Sequence, residues 1–201
     1  MKVRKMMLAG LLAAAVALNA GGCRVEFSHG TRTEGTSSFT KEEIERKAER
    51  FYTYGNELTV LAPKGWYDAG YEDTDEYSVL NLYSADDSMY LAVYIDYKED
   101  YPEFELEGYA AHMLDYWKEG CVIDETESMW LNGGRARMDG MSGTVNGTKM
   151  HYRVYTVEYA NAFAQYFFGL TYEQKDAADQ TMDIIAGSVS AVPRDDDGVD
   201  M

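Results

Sequence analysis

Two long β-forming runs, 148–159 (TKMHYRVYTVEY) and 163–172 (FAQYFFGLTY), stand three residues apart, and they restrict the fold more than any other stretch. Segments joined this closely must lie side by side and antiparallel. In the first run Met150, Tyr152 and Val154 alternate with Lys149, His151 and Arg153, which predicts one buried and one wet face. In the second, Ala164, Tyr166, Phe168 and Leu170 share a face, and Phe163, Gln165 and Phe167 share the other. A strand apolar on both sides needs cover on both sides. The hairpin is therefore expected at the centre of an antiparallel sheet.

The remaining elements arrange themselves around it. Thr40 with Glu43 three residues later has the form of a capping box, predicting a helix to about Arg50 with a thin stripe of Ile44, Ala48 and Phe51. FYTY and ELTVLAP form two short extended runs around Gly55-Asn56, closed by Pro63. YDAGYEDTDEY has no period and is strongly acidic, so it reads as an exposed loop. YSVLNLY and MYLAVYIDY make a second hairpin, with Leu80, Leu82, Leu91, Val93 and Ile95 on its buried face. The period then changes: Leu106, Ala110, Met113 and Trp117 recur at helical spacing up to Gly120. CVIDETESMWL returns to strand and turns at Asn132-Gly133 into RARMDGMSGTV, whose glycines hint at bulges or a twisted edge. A last helix from Glu173 to about Val189 carries Ala178, Met182, Ile185 and Val189 as its stripe.

Strands joined by short turns run antiparallel, and each strong helix has one apolar face to bury. The expected class is α+β, an antiparallel sheet flanked by helices. ELTVLAPKGW, the PEFELEGYA stretch that opens a helix, and MWLNGGRAR resemble segments of PsbP-like domains, among them bacterial lipoproteins of the DcrB type. The resemblance spans about Glu57 to Val189. It implies an α/β/α sandwich and a non-catalytic accessory or binding role. Relatives include a photosystem II extrinsic subunit and a Ran-binding import factor, so it fixes no partner. The alternative is an NTF2-like curved sheet whose helices enclose a small-ligand or catalytic pocket.

The amino-terminal residues speak to compartment. Lys2, Arg4 and Lys5 precede an apolar run, Met6–Leu18, and Ala20, Gly21 and Gly22 lead into Cys23. This is the layout of a secretory signal peptide. A cysteine directly after small residues resembles the bacterial lipobox, although Ala20 stands where leucine is usual. The resemblance implies lipidation of Cys23 and anchoring on the extracytoplasmic face of a bacterial membrane. The expected organisation is a signal peptide at 1–22, a flexible Ser/Thr/Gly-rich tether at 23–39, one α+β domain at 40–192 and an acidic tail at 193–201. Removing the three basic residues of 1–22 takes the formal charge from −17 to −20. A chain this acidic is repelled by phosphate backbones, which argues against nucleic acid as a partner. With Cys23 lipidated, only Cys121 is left, so the domain must be held by its core.

No residue pattern selects a reaction. His112 and His151 adjoin no nucleophile motif, Cys121 reads as a small buried hydrophobe, and no phosphate-cradling loop is present. Carboxylates Glu72, Asp73, Asp75 and Glu76 form a dense acidic loop, but dense acid is ordinarily solvated, and neither a metal nor another cofactor is expected. Recognition is the remaining class. Seventeen tyrosines exceed what two helices can cover, and Trp66, Tyr67 and Tyr71 cluster beside the acidic loop. Large rings with polar tips suit a protein partner, so these three are the expected contact residues.

Overall fold

A computed structural model describes residues 47–70, 77–117 and 120–191. Among these residues, ten strands and two α-helices run in the order β1 (Glu49–Tyr52), β2 (Leu58–Ala62), β3 (Tyr67–Asp68), β4 (Leu80–Tyr83), β5 (Met89–Tyr97), α1 (Leu106–Trp117), β6 (Cys121–Leu131), β7 (Gly134–Val145), β8 (Thr148–Glu158), β9 (Ala162–Thr171), α2 (Lys175–Ser188) and β10 (Ser190–Ala191). Seven form one antiparallel sheet in the order β3-β4-β5-β9-β8-β7-β6, and three form a small sheet, β1-β2-β10.

The β8–β9 hairpin is central, as its sequence predicts. β9 is the fourth strand of seven and is buried along nine of its ten residues. Its two faces serve two cores. Ala164, Tyr166, Phe168 and Leu170 pack with Leu80, Leu82, Leu91 and Val93 beneath α2 and the small sheet. Phe163 and Phe167 pack with Tyr109, Met113 and Trp117 of α1. Phe163 lies flat against the Tyr109 ring, 4.1 Å between centroids. With a helix on each face, the sheet is the filling of an α/β/α sandwich rather than the wall of an NTF2-like cone.

Turn chemistry sets the registers. Asn132-Gly133 and Asn146-Gly147 all have positive φ, between 50° and 83°. Two consecutive left-handed residues make a hairpin turn whose twist matches that of the strands, and Asn-Gly adopts it most readily. Each helix is also fastened by polar bonds. Tyr109 of α1 donates to Asp96 on β5, and Tyr155 of β8 donates to Asp183 on α2. The Asn132 amide reaches the carboxy-terminal turn of α2 at the Ala186 carbonyl, 2.8 Å away, and Ser188 donates to the Leu61 carbonyl.

Four expectations need correction. Glu49–Tyr52 is a strand, so a helix does not reach Arg50; the expected start of that helix, at 40–46, lies outside the described residues. Phe51 is turned toward the core by pairing with Val60, an override of local helical propensity by strand pairing. The acidic stretch after Trp66 begins as strand, because Tyr67 pairs with Tyr83; residues 71–76 lie outside the described residues. His151 and Arg153 are not on a wet face: both are buried, because α2 lies over them and supplies Asp179 and Asp183. Finally, the glycines of β7 do not mark a twisted edge. β7 is an inner strand, and the irregularity falls on β6 between Ile123 and Glu125. Gly143 is instead a place of close approach, where an added Cβ would stand 2.6 Å from the Cys121 sulfur.

Candidate docking surface

β6 closes one side of the large sheet, and among the described residues it pairs only with β7, so one edge of an eleven-residue strand has no described neighbour. Such an edge presents a row of backbone donors and acceptors. Its residues from Val122 to Ser128 are all exposed. The composition is patterned: Val122 and Ile123, then Asp124, Glu125 and Glu127, then Met129 and Trp130. Trp130 is 76% exposed.

Register explains why this tryptophan is outside. Met129 lies opposite Ala136 and leans on the α2-side core, and successive residues of a strand face opposite sides. Trp130 is thereby turned to the α1 side, opposite Arg135. There it meets the first turn of α1 across a shallow groove of about 230 Å³, whose rim includes Glu105, Glu107 and Arg135. Glu107, in the first turn, favours the positive end of the helix, and the two glutamates are paired with Arg135 at 3.8 Å and Arg137 at 3.0 Å.

The cations nearby are already engaged. Arg135 donates through Nε to Glu158 at 2.9 Å, and Lys98 reaches the same carboxylate at 2.9 Å. Burial pushes the Glu158 carboxyl up, but the bonds from Lys98 and Arg135 outweigh it and hold the group below its usual range. Arg137 bridges Asp139, 2.8 Å away, and Glu107, 3.0 Å away. Burial works against its charge, and these two carboxylates more than restore it. Asp124, Glu125 and Glu127 form no ion pair with a described residue. The strand's centre therefore carries unbalanced negative charge between two apolar ends.

The residues expected from sequence fall elsewhere. Trp66 is 7% exposed and packs in the α2-side core, so its ring serves the fold and offers no outward area. The reason is its position after Gly65, where the chain turns back over the sheet. Tyr67 is 45% exposed on β3, the opposite edge of the sheet, stacked on Tyr83 at 5.9 Å. Its hydroxyl donates to Asp87, which pushes its pKa up to about 12. Tyr71 and Cys23 lie outside the described residues. Sequence reasoning missed Trp130. The available signal was adjacency: Met129 and Trp130 cannot both face one core from one strand.

Reactive groups converge nowhere on this surface. His112 is a boundary residue stacked on Phe104, 5.0 Å between centroids. His151 meets Asp179 at 3.0 Å beneath α2, and burial holds the imidazole below its ordinary value despite that carboxylate. Cys121 is half-buried rather than fully buried, and burial, reinforced by Asp124, pushes its thiol up. Among the described residues no group of three or more His, Cys, Asp or Glu is placed to hold a metal. No described helix is long and apolar enough to cross a membrane.

No family model matches this sequence, and no curated protein matches it. The fold, however, is found among solved structures. The cyanobacterial PsbP protein (CyanoP) of Synechocystis sp. PCC 6803 superposes with a TM-score of 0.58 at 11% identity, over 73% of this chain and 93% of that one. The Ran-binding protein Mog1p of Saccharomyces cerevisiae gives 0.54 at 10%, over 71% and 94%. LpqN of Mycobacterium tuberculosis, involved in cell envelope biogenesis, gives 0.51 at 12%, over 78% and 99%. At these identities the likeness is one of fold.

Proposed function

Starting from a PsbP-like fold, we propose that this protein is a lipid-anchored, extracytoplasmic accessory module of the bacterial cell envelope, of the DcrB lipoprotein type, that works by binding another protein rather than by catalysis. Cys23 is the proposed lipidation site, and residues 23–39 are the proposed tether of the single domain at 40–192. The observation that carries the binding role is Trp130, a large ring left in solvent on an unpaired strand edge beside a groove. Tryptophan is among the residues most enriched where protein interfaces concentrate their energy, and this one adjoins both a strand edge and a groove. Two of the structural neighbours are described as Ran-binding and as involved in envelope biogenesis, which is compatible with such a role. Tyr67 and Tyr71 are proposed as a second contact region at the opposite edge.

Photo-crosslinking in intact cells tests this reading. A photoreactive residue would be placed at position 130, at 67, or at Asp176, which is exposed on α2. A protein adduct formed at 130 and absent at 176 is the expected result. Adducts at 67 alone would move the docking surface to β3, and equal labelling at all three positions would remove it.

A further inference from the structure

We infer that the partner docks by adding an extended, basic segment to β6 as an eighth strand of the large sheet. The inference rests on the docking role proposed for the Trp130 surface and names the chemistry that surface would take. Three features of β6 lead to it.

The first is the edge itself. From Glu125 to Leu131 the ladder to β7 is regular, so the strand's outer backbone groups are evenly disposed to receive another chain. The irregularity between Ile123 and Glu125 bends the strand and limits the added segment to about those seven residues.

Charge is the second. Glu125 and Glu127 project on the α2 side, opposite Gly140 and Met138, while Glu105 and Glu107 rim the groove on the α1 side. An incoming strand thus meets the two unbalanced carboxylates of Glu125 and Glu127 on its α2-side face, while Glu105 and Glu107 are already held by Arg135 and Arg137. Opposite charges across neighbouring strands attract, and like charges placed directly opposite repel. Lysine or arginine at alternate positions satisfies the arrangement, and an aliphatic residue fits where the segment passes Met129 and Trp130.

The third is what the edge rejects. Antiparallel pairing with a second copy about Thr126 would set Glu125 against Glu127 of the copy, and centring on Glu125 would set it against itself. Charges of this kind are a common protection of edges against self-pairing. A second copy is therefore disfavoured by the same residues that favour a basic segment.

Hydrogen exchange on the purified full-length protein tests the inference, with a synthetic peptide of alternating lysine and valine as probe. A second peptide of identical sequence is methylated on alternate backbone nitrogens, which keeps the charge and removes the strand's donors. The unmethylated peptide should slow exchange at Glu125–Leu131 by about tenfold or more, and the methylated one should not. Reversing charge with Glu125→Lys and Glu127→Lys should abolish that protection and transfer it to a glutamate–valine peptide. Equal protection by both lysine peptides, protection at β3 instead, or a dimer joined through β6 would overturn strand addition. A crosslink at position 130 in cells combined with any of these failures would leave the docking role standing and remove the basic strand alone.

Discussion

Trp66 and Trp130 are the same side chain in opposite surroundings, one buried in the α2-side core cluster and the other in water. Truncating a buried aromatic removes its transfer energy and leaves a cavity, so Trp66→Ala should lower stability by about 3–5 kcal/mol in urea unfolding. Trp130→Ala should stay within about 0.5 kcal/mol of the parent, as surface changes do, and yet lose the adduct partner in pull-down. A large loss of stability on changing Trp130 would return it to the fold. His151 gives a prediction of pH dependence. Its ring is buried, Nδ1 has no hydrogen-bond partner, and its neighbours are Asp179 and Lys175 of α2, Arg153 of β8 and the Tyr172 ring. Burial, the largest influence, keeps the folded imidazole below its ordinary 6.5, so the unfolded chain binds the proton more readily. The stability held by neutral His151 is thus complete above the unfolded value and is lost as pH falls through the folded one. Unfolding free energy should therefore decline as pH falls below the ordinary imidazole value, and His151→Gln should flatten that part of the profile. An unchanged slope in the variant would assign the decline to other groups.

β9 is the element on which both cores depend. Phe168 is fully buried opposite Leu91 and Arg153, and Phe168→Ala should cost about 3–5 kcal/mol. A cost below about 1 kcal/mol would contradict a central strand. Gly169, next along, lies under the Tyr90 ring: a Cβ there would stand 2.3 Å from a ring carbon. Gly169→Ala should lower stability by about 1–3 kcal/mol through overpacking, and Tyr90→Ala in the same chain should relieve most of the Gly169 penalty, a coupling a double-mutant cycle reads directly. The alternation in β8 and β9, the helical spacing from Leu106 to Trp117, and the Asn-Gly turns are local patterns, and all were legible in the sequence. The burial of His151 and Arg153 was not, because the cover comes from Asp179 and Asp183 on an element more than twenty residues away. Nor could the exposed edge be read directly. β6 and β7 are both β-forming, and only the sheet order makes one the rim and the other an inner strand.

The molecule as a whole combines a two-faced sandwich with a strongly acidic exterior, and the proposed anchor supplies its place in the cell. Cys23→Ala should move the protein from the membrane fraction to the soluble fraction while its thermal unfolding is unchanged, because two acyl chains make anchoring stable and contribute nothing to the core. Retention after a high-salt wash would exclude the lipid as the anchor. The small sheet then acquires a mechanical meaning. Under the proposed anchoring, the first described element that load from the membrane would reach is β1, whose four residues are laddered, among the described residues, to β2 alone. A partner held on β6 would pull from a strand laddered to β7 from Cys121 to Leu131, save for the irregularity at Asp124. Tether, β1, body and docked edge would then stand in series, and the shorter of the two ladders, β1 to β2, is the one expected to yield first. Its release lengthens the tether by about 13 Å at the extended rise of a strand, leaving the seven-stranded sheet and the grip on its edge untouched. With the proposed anchor and partner both in place, the small sheet would act as a slip link between them.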